Sequence, residues 1–538
     1  MLLIFAAVGA TFANRVCGAL TQCATARRRA DPRLLPFLVL RFSLVPAAAV
    51  LSAVCAACVP AGAPIVSARL HPCASSEGPT DGYCGGFEVY EDRAAGTGRK
   101  IRLAIVVLPS VSSDVHADPL VFLAGGPGQA AAQMASLVQP MFRKVQRTRD
   151  IVLVDQRGTG KSNPLNCRAG GDSLRDLTEP DDKALDNLRR CLAQLPGDPR
   201  LYTTNIAMDD LDDVRAYLGY GRVNLYGGSY GTRAALVYLR RHPEHVRSIV
   251  LDGVAPMDMK LPVYAARDAQ RALNKLFDDC SSDDACRAAY PRLAERAQQL
   301  FARLDARAPR VKVAHPRTGV VEEIEVTSKV VAGIVFSALY SPLTASILPS
   351  LIERAEHDDF QGLLALAFAG ESATNGMSLG MQLSVLCSED SPRYTPDDIT
   401  REAAGTIFGT RLLTGQVAAC RFWPKGTVDP GYYAPVESAV PALVLSGELD
   451  PVTPPTWGVE VVKYLRNGRH VVMPGTGHGV AATACGNRIV TDFIDGADAH
   501  NVDAVCVRSV QRPGFFLTPA GPEPAPLKLA ASGQGVAP

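Results

Sequence analysis

The stretch "VNLYGGSYGTRAAL", residues 223–236, joins an apolar run to an Ala/Leu-rich run through a serine set between glycines. "VNLY" has the composition of a buried strand. "TRAALVYLRRH" places Ala234, Ala235, Leu236 and Tyr238 where a helix would face a sheet. Gly227, Ser229 and Gly231 then spell G-x-S-x-G. In a nucleophile elbow this serine sits on a sharp turn between strand and helix, its oxygen exposed above the sheet edge. The flanking glycines are needed because side chains there would collide with the neighbouring strand and helix. An ordinary glycine-rich turn also fits the motif, so the rest of the chain must decide.

The 538 residues are 47% hydrophobic and 20% charged, a globular composition with length for a large core and an inserted domain. Lys plus Arg is 55 against 54 for Asp plus Glu, and no basic stripe with interleaved aromatics stands out. Nucleic acid is therefore not an expected partner. Nothing in the pattern sets an oligomeric state.

The N-terminal region reads as an address rather than fold. An Arg cluster at 27–29 precedes an apolar stretch from Leu34 to about Val54, followed by small residues, as in an export signal. The prolines and the small-residue end favour cleavage over a membrane anchor. "AVCAAC", ending at Cys58, faintly resembles a lipoprotein processing site. Residues 1–26 are unusual in front of such a signal, as if translation began internally. The expectation is an exported protein, periplasmic or extracellular, with no stable membrane domain once the leader is removed.

Cysteine usage agrees. Of 14 cysteines, Cys17, Cys23, Cys55 and Cys58 lie in the leader. The others fall in neighbouring pairs: Cys73 and Cys84, Cys167 and Cys191, Cys280 and Cys286, Cys387 and Cys420, Cys485 and Cys506. An even number at short separations points to disulfides in an oxidising compartment, with connectivity left open. Paired C-x-x-C or H-x-x-x-H spacings are missing from this region, so no metal is expected.

After the leading strands "GGFEVYED" and "KIRLAIVVLPS", apolar runs alternate with helical ones. "PLVFLAGGPGQAA" (119–131), "DIVLVDQRGTGKS" (150–162) and "VRSIVLDGVAP" (246–256) read as strands, and "IAMDDLDDVRAYLG" (206–219) as an amphipathic helix. Such alternation is the signature of a parallel sheet covered by helices. It breaks from about 261 to 425, where "VEEIEV" alone looks like a short strand. It resumes at "PALVLSGELDPVTPP" (441–455) and "RHVVMPGTGHGVAA" (469–482). The expected division is leader 1–63, first core part 64–260, helical cap 261–425, second core part 426–510 and a Pro/Ala-rich tail 511–538.

Serine at neutral pH needs a base to take its proton and an acid to orient that base. Of 9 histidines, His478 alone sits in a glycine-rich loop just after a buried strand. That is the carboxyl edge where open α/β sheets build their sites. Asp450 likewise follows the strand "ALVLSG", giving the order Ser229, Asp450, His478. Asp252, ending "IVLD", is a rival acid, but the Asp450 loop comes next before the histidine strand. Oxyanion donors would be the main-chain N–H of Tyr230 and one from "AGGPG", most simply Gly126.

"GGPG" (125–128), "DQRGTGKS" (155–162), "GGSYG" (227–231), "GELDPVTP" (447–454) and "GTGHG" (475–479) together resemble the α/β-hydrolase serine peptidases of the prolyl iminopeptidase and tripeptidyl aminopeptidase branch. "PLNC" (164–167) and "CRFWP" (420–424) extend the resemblance to exported tripeptidyl aminopeptidases, over about residues 64–510. It implies an α/β-hydrolase fold with an inserted, mainly helical cap. It also implies Ser229 as nucleophile, Asp450 as acid, His478 as base, and Gly126 with Tyr230 as the oxyanion hole. One departure is Ala124, where iminopeptidases usually carry histidine before Gly-Gly-Pro-Gly. Asp155 and Arg157 of "DQRG" are expected to brace loops rather than touch substrate.

The implied activity is release of a short N-terminal unit, tripeptidyl or prolyl/aminoacyl, from a peptide substrate through an acyl-enzyme, with no cofactor. An esterase with the same triad is the rival; a non-catalytic binding protein is a weaker one. An aminopeptidase must also hold an ammonium group. In "SVLCSEDSPR" (384–393), Glu389 and Asp390 follow Cys387 and are the expected partners of that cation.

Overall fold

A computed structural model describes residues 66–167, 173–369, 376–518 and 521–522. The expected leader (1–63) and most of the expected tail (511–538) lie outside the described residues.

The strands in chain order are β1 (His71–Pro72), β2 (Tyr83–Tyr90), β3 (Lys100–Leu108), β4 (Leu120–Leu123), β5 (Ile151–Val154), β6 (Val223–Gly228), β7 (Val246–Asp252), β8 (Arg310–Ala314), β9 (Val321–Glu325), β10 (Ala442–Gly447) and β11 (Gly468–Met473). Nine of them form one sheet in the order β1-β2-β3-β5-β4-β6-β7-β10-β11. The pairings up to β3–β5 are antiparallel, and every later one is parallel.

Both faces of the parallel part are covered. In β4, Val121 and Leu123 enter the core shared with helices Thr204–Tyr217 and Tyr230–Arg241. Leu120 and Phe122 enter the opposite core, shared with helices Ala135–Met141 and Ala484–Gly496. β10 repeats the pattern, with Ala442 and Val444 on one side and Leu443 and Leu445 on the other. Side chains alternate along a strand, so covering both faces makes the run continuously apolar. Each such fully buried Val or Leu contributes roughly 1.5–3 kcal/mol.

Between β7 and β10 the chain leaves the sheet and inserts a mainly helical layer. Helices Ala265–Ser282, Leu293–Ala306, Ser328–Leu339 and Leu348–Glu356 close a core of their own around Leu273, Leu300, Val331 and Leu348. Helix Leu379–Glu389 behaves differently: Met381 and Val385 enter the core beneath the sheet, and Leu383 and Cys387 pack with Trp423. The layer also holds the antiparallel ribbon β8–β9. β9 corresponds to the expected strand; its partner β8 was not expected, because only Val313 of "RVKVA" is buried.

Disulfides join all five neighbouring cysteine pairs: Cys73–Cys84, Cys167–Cys191, Cys280–Cys286, Cys387–Cys420 and Cys485–Cys506. Among the described residues, no helix is long and apolar enough to cross a membrane.

Candidate active site

Ser229 is the single residue between β6 and helix Tyr230–Arg241, with φ 56° and ψ −127°. A non-glycine residue in that region costs on the order of 1–3 kcal/mol and persists only where its surroundings enforce it. The glycines explain how. A Cβ on Gly227 would run into the Gly231 carbonyl, and one on Gly231 into the Leu123 carbonyl at the end of β4. Only glycines let strand, turn and helix close this tightly. The Ser229 N–H donates to the Asp252 carbonyl at 2.9 Å, tying the turn to the end of β7.

The "AGGPG" loop after β4 passes over this serine. A Cβ on Gly125 would stand 3.1 Å from the Ser229 Cβ. Gly126 follows at φ 106°. Tyr230 is the first residue of its helix, so its N–H has no acceptor within the helix. Gly125 and Tyr230 therefore both bring main chain close to Ser229, with Gly126 next in the loop.

Asp450 and His478 meet because the loops after β10 and β11 touch. A Cβ on Gly447 would strike the carbonyls of Thr476 and Gly477, and the Leu449 N–H donates to the Thr476 carbonyl at 2.9 Å. Asp450 Oδ2 lies 2.8 Å from His478 Nδ1 and accepts from the Thr453 hydroxyl at 2.8 Å. Its Oδ1 accepts the N–H groups of Val452 at 2.8 Å and Thr453 at 2.9 Å. Burial opposes ionisation of Asp450, but the charge and hydrogen bond of His478 and these two N–H groups hold its carboxyl below the ordinary value. Burial likewise disfavours the His478 cation, yet the Asp450 carboxylate, with Asp252 behind it, holds the imidazole above its ordinary value. With Nδ1–H donating to Asp450, Nε2 carries the lone pair.

The ring edge of His478 lies against Gly253, where a Cβ would come within 3.0 Å of its Cε1. Gly253 directly follows Asp252, whose carbonyl holds the Ser229 N–H. The histidine and serine loops are thus brought together at the carboxyl ends of β6, β7 and β10.

Asp252 has other work. Its Oδ1 accepts the Val480 N–H at 2.8 Å, and its Oδ2 accepts the Ala481 N–H and the Tyr226 hydroxyl, both at 2.8 Å. It fixes the chain just beyond His478, and burial pushes its own carboxyl up. Arg157 pairs with Asp210 at 2.7 and 2.9 Å and reaches the Glu91 and Leu201 carbonyls. Asp155 accepts the Ala132 and Lys161 N–H groups at 2.8 and 3.0 Å. Both are braces.

Glu389 and Asp390 require a correction. They are 1% and 0% exposed, and protein groups occupy their oxygens. Asp390 pairs with Arg233 and Arg393, each at 2.9 Å, and accepts the Leu261 N–H at 3.0 Å. Glu389 accepts the Thr204 N–H at 2.6 Å, the Thr204 hydroxyl at 2.9 Å and the Tyr432 hydroxyl. Neither carboxylate is open to a substrate ammonium.

Three further residues escaped the sequence reading. Thr453 bridges acid and base, its hydroxyl also 3.2 Å from His478 Nδ1. The Tyr340 carbonyl accepts the His478 N–H at 2.9 Å, and its ring stands edge-on to the imidazole at 5.2 Å. Arg271 donates to the carbonyls of Glu448 at 3.0 Å and Asp450 at 2.8 Å. The one signal in sequence was Thr453, a hydroxyl three residues after the acid.

A parallel sheet with a strained serine elbow and an acid–histidine pair at its carboxyl edge is the architecture of an α/β hydrolase. The chain belongs to the alpha/beta hydrolase fold family, whose model matches residues 118–483. It is 26% identical over 482 residues to serine protease Hip1 of Mycobacterium tuberculosis, covering 81% of this chain and 90% of that protein. It is 28% identical over 454 residues to tripeptidyl aminopeptidase of Streptomyces coelicolor, covering 78% and 82%. A stretch of 138 residues is 33% identical to proline iminopeptidase of Neisseria gonorrhoeae, covering 25% and 32%. Among solved structures it is similar to proline iminopeptidase of Mycobacterium smegmatis at 18% identity and TM-score 0.34, covering 77% and 99%.

Proposed function

We propose that this chain is an exported serine peptidase that releases a short N-terminal unit from peptides. The observation that carries this reading is the hydrogen-bonded Asp450–His478 pair at the same sheet edge as the strained Ser229 elbow. The relatives named serine protease, tripeptidyl aminopeptidase and proline iminopeptidase support the peptide as substrate class. The five disulfides and the leader-like N-terminal sequence support export. Segment 261–425 acts as the cap that limits how much peptide enters.

His478 Nε2 takes the Ser229 hydroxyl proton as Oγ adds to the scissile carbonyl. The oxyanion is received by the main-chain N–H groups of Gly126 and Tyr230. The imidazolium, stabilised by Asp450, then protonates the departing amine and leaves an acyl-enzyme. Water, activated by the same imidazole, releases the acid and restores Ser229.

The test compares a tripeptidyl amide with a free amino end, its N-acetylated twin and a small neutral ester, after labelling by a fluorophosphonate. Labelling at Ser229 and preference for the free amine are expected. Equal cleavage of acetylated and free peptides would reject the aminopeptidase reading, and turnover of the ester alone would make the protein an esterase.

A further inference from the structure

Glu389 and Asp390 close the helix Leu379–Glu389, and both reach the first turn of the helix that begins after Ser229. Asp390 reaches Arg233, four residues past the serine, and Arg233 in turn donates to the carbonyls of Pro256 at 3.2 Å and Met259 at 2.6 Å. Glu389 reaches Tyr230, the residue after the serine, through Thr204. The Thr204 and Tyr230 hydroxyl oxygens are 2.7 Å apart. The Thr204 hydroxyl has one proton, and it goes to Glu389 Oε2 at 2.9 Å. Tyr230 must therefore donate to Thr204, and the chain runs from Tyr230 to Thr204 to Glu389 in one direction.

All three members are buried, Tyr230 at 2%, Thr204 at 0% and Glu389 at 1% exposure. The Thr204 N–H also donates to Glu389 Oε1 at 2.6 Å, so the carboxylate holds Thr204 by main chain and side chain together. Tyr432 adds a hydroxyl to Oε2, and the Tyr433 hydroxyl donates to the Glu389 carbonyl at 2.8 Å. Such a desolvated network, with every member paired, is rigid and admits one arrangement.

We propose that Glu389 is a positioning residue for the oxyanion hole: through Thr204 it pins the Tyr230 side chain, and so aims the Tyr230 main-chain N–H. This inference rests on the serine hydrolase reading above. An oxyanion donor works only when held within about 0.5 Å of the productive position. The Tyr230 hydroxyl is held through Thr204, so loss of that contact leaves the ring seated by core packing alone and less able to fix the position of its main-chain N–H.

The test uses Tyr230→Phe, which removes the hydroxyl and keeps ring and backbone, with Thr204→Val, Glu389→Gln and the Tyr230→Phe/Thr204→Val pair. Each single change is expected to lower kcat roughly 10- to 100-fold, the range for a misplaced rather than deleted catalytic group. KM should stay within about threefold. Because every acyl substrate uses the oxyanion hole, a small neutral ester and a free-amine peptide should lose equally, and fluorophosphonate labelling should slow in parallel. The pair should cost no more than the worse single change, since both break one chain. Folded Tyr230→Phe with wild-type kcat and labelling rate would overturn the proposal even if Glu389→Gln fails to fold. A loss confined to KM for free-amine peptides would overturn it too, by making Glu389 an ammonium ligand. Wild-type protein that resists labelling at Ser229 would instead remove the hydrolase reading on which it rests.

Discussion

Asp450→Asn should cost far more activity than Asp252→Asn, and the two should differ in the opposite sense for stability. In Asp450→Asn the orientation of the new amide is dictated by its surroundings. The N–H groups of Val452 and Thr453, at 2.8 and 2.9 Å, converge on Oδ1 and demand an acceptor there. The amide oxygen must take that place, and the NH2 falls where Oδ2 stood, 2.8 Å from His478 Nδ1. Nδ1 must then accept, which puts the ring proton on Nε2, and Nε2 can no longer take the Ser229 proton. In a serine protease triad the same exchange lowers kcat about 10⁴-fold, or about 5.4 kcal/mol of transition-state stabilisation at 1.36 kcal/mol per decade.

Asp252→Asn has no such tautomer effect, because its oxygens bond Val480, Ala481 and Tyr226 rather than the imidazole. Whichever way the amide turns, its NH2 faces a main-chain N–H that formerly donated. A buried donor left unpaired costs about 1–3 kcal/mol. The expected result is a less stable protein whose activity falls on the order of tenfold, through a shifted His478 loop. The assay is kcat/KM on a free-amine tripeptidyl p-nitroanilide, with urea unfolding of both variants. Asp252→Asn losing 10⁴-fold, with Asp450→Asn within about tenfold of wild type, would move the acid to β7 and refute the reasoning.

Ser229→Ala should fold normally and lose turnover on the order of 10⁶-fold; purified variant retaining more than about one per cent of activity would require another nucleophile. The acid limb of kcat/KM should lie above the ordinary histidine value of 6.5, because the base must be neutral and Asp450 holds its pKa up; a limb below that value would contradict the pairing. Stability has its own sign. The raised His478 value contributes in full below the ordinary histidine range and is lost as pH rises through the folded value. The lowered Asp450 value contributes above the ordinary carboxylate range and is lost as pH falls through the folded one. The wild-type advantage over Asp450→Asn in urea should therefore be largest between those limits. Gly231→Ala should cost at least about 3 kcal/mol, since its Cβ has nowhere to go but the Leu123 carbonyl; a soluble variant with unchanged melting temperature would show that the elbow can widen.

The sheet and its serine were legible for one reason: strands covered on both faces leave continuous apolar runs, and the residue just past each run lies at the carboxyl edge. That rule found Ser229 after β6 and pointed to Asp450 after β10. It could not by itself separate Asp450 from Asp252, because β7 and β10 are parallel neighbours and both acids end up at the same edge. The roles of Glu389 and Asp390 were not legible. A carboxylate in sequence carries no mark of its partner, and the Arg233 that neutralises Asp390 is 157 residues away. The β8–β9 ribbon was half legible, since a mostly exposed strand has little apolar pattern to read.

The inserted layer contacts four of the segments that build the candidate site. Tyr340 binds the histidine loop, Ser378 donates to the Gly128 carbonyl at 2.9 Å in the loop that carries Gly126, and Glu389 and Asp390 grip the helix after the serine. Arg271 does the same for the acid, with its bonds of 3.0 and 2.8 Å to the Glu448 and Asp450 carbonyls. A lid that only selected substrates could be weakened with gain on small esters. A layer that sets the catalytic loops could not. Arg271→Met keeps the length and apolar stem of the side chain and removes both bonds. It should lower kcat about tenfold or more on peptide and ester alike, with KM little changed. Faster ester turnover beside slower peptide turnover would mean that the layer is a lid after all. Unchanged rates on both would mean that the Asp450 loop keeps its shape unaided.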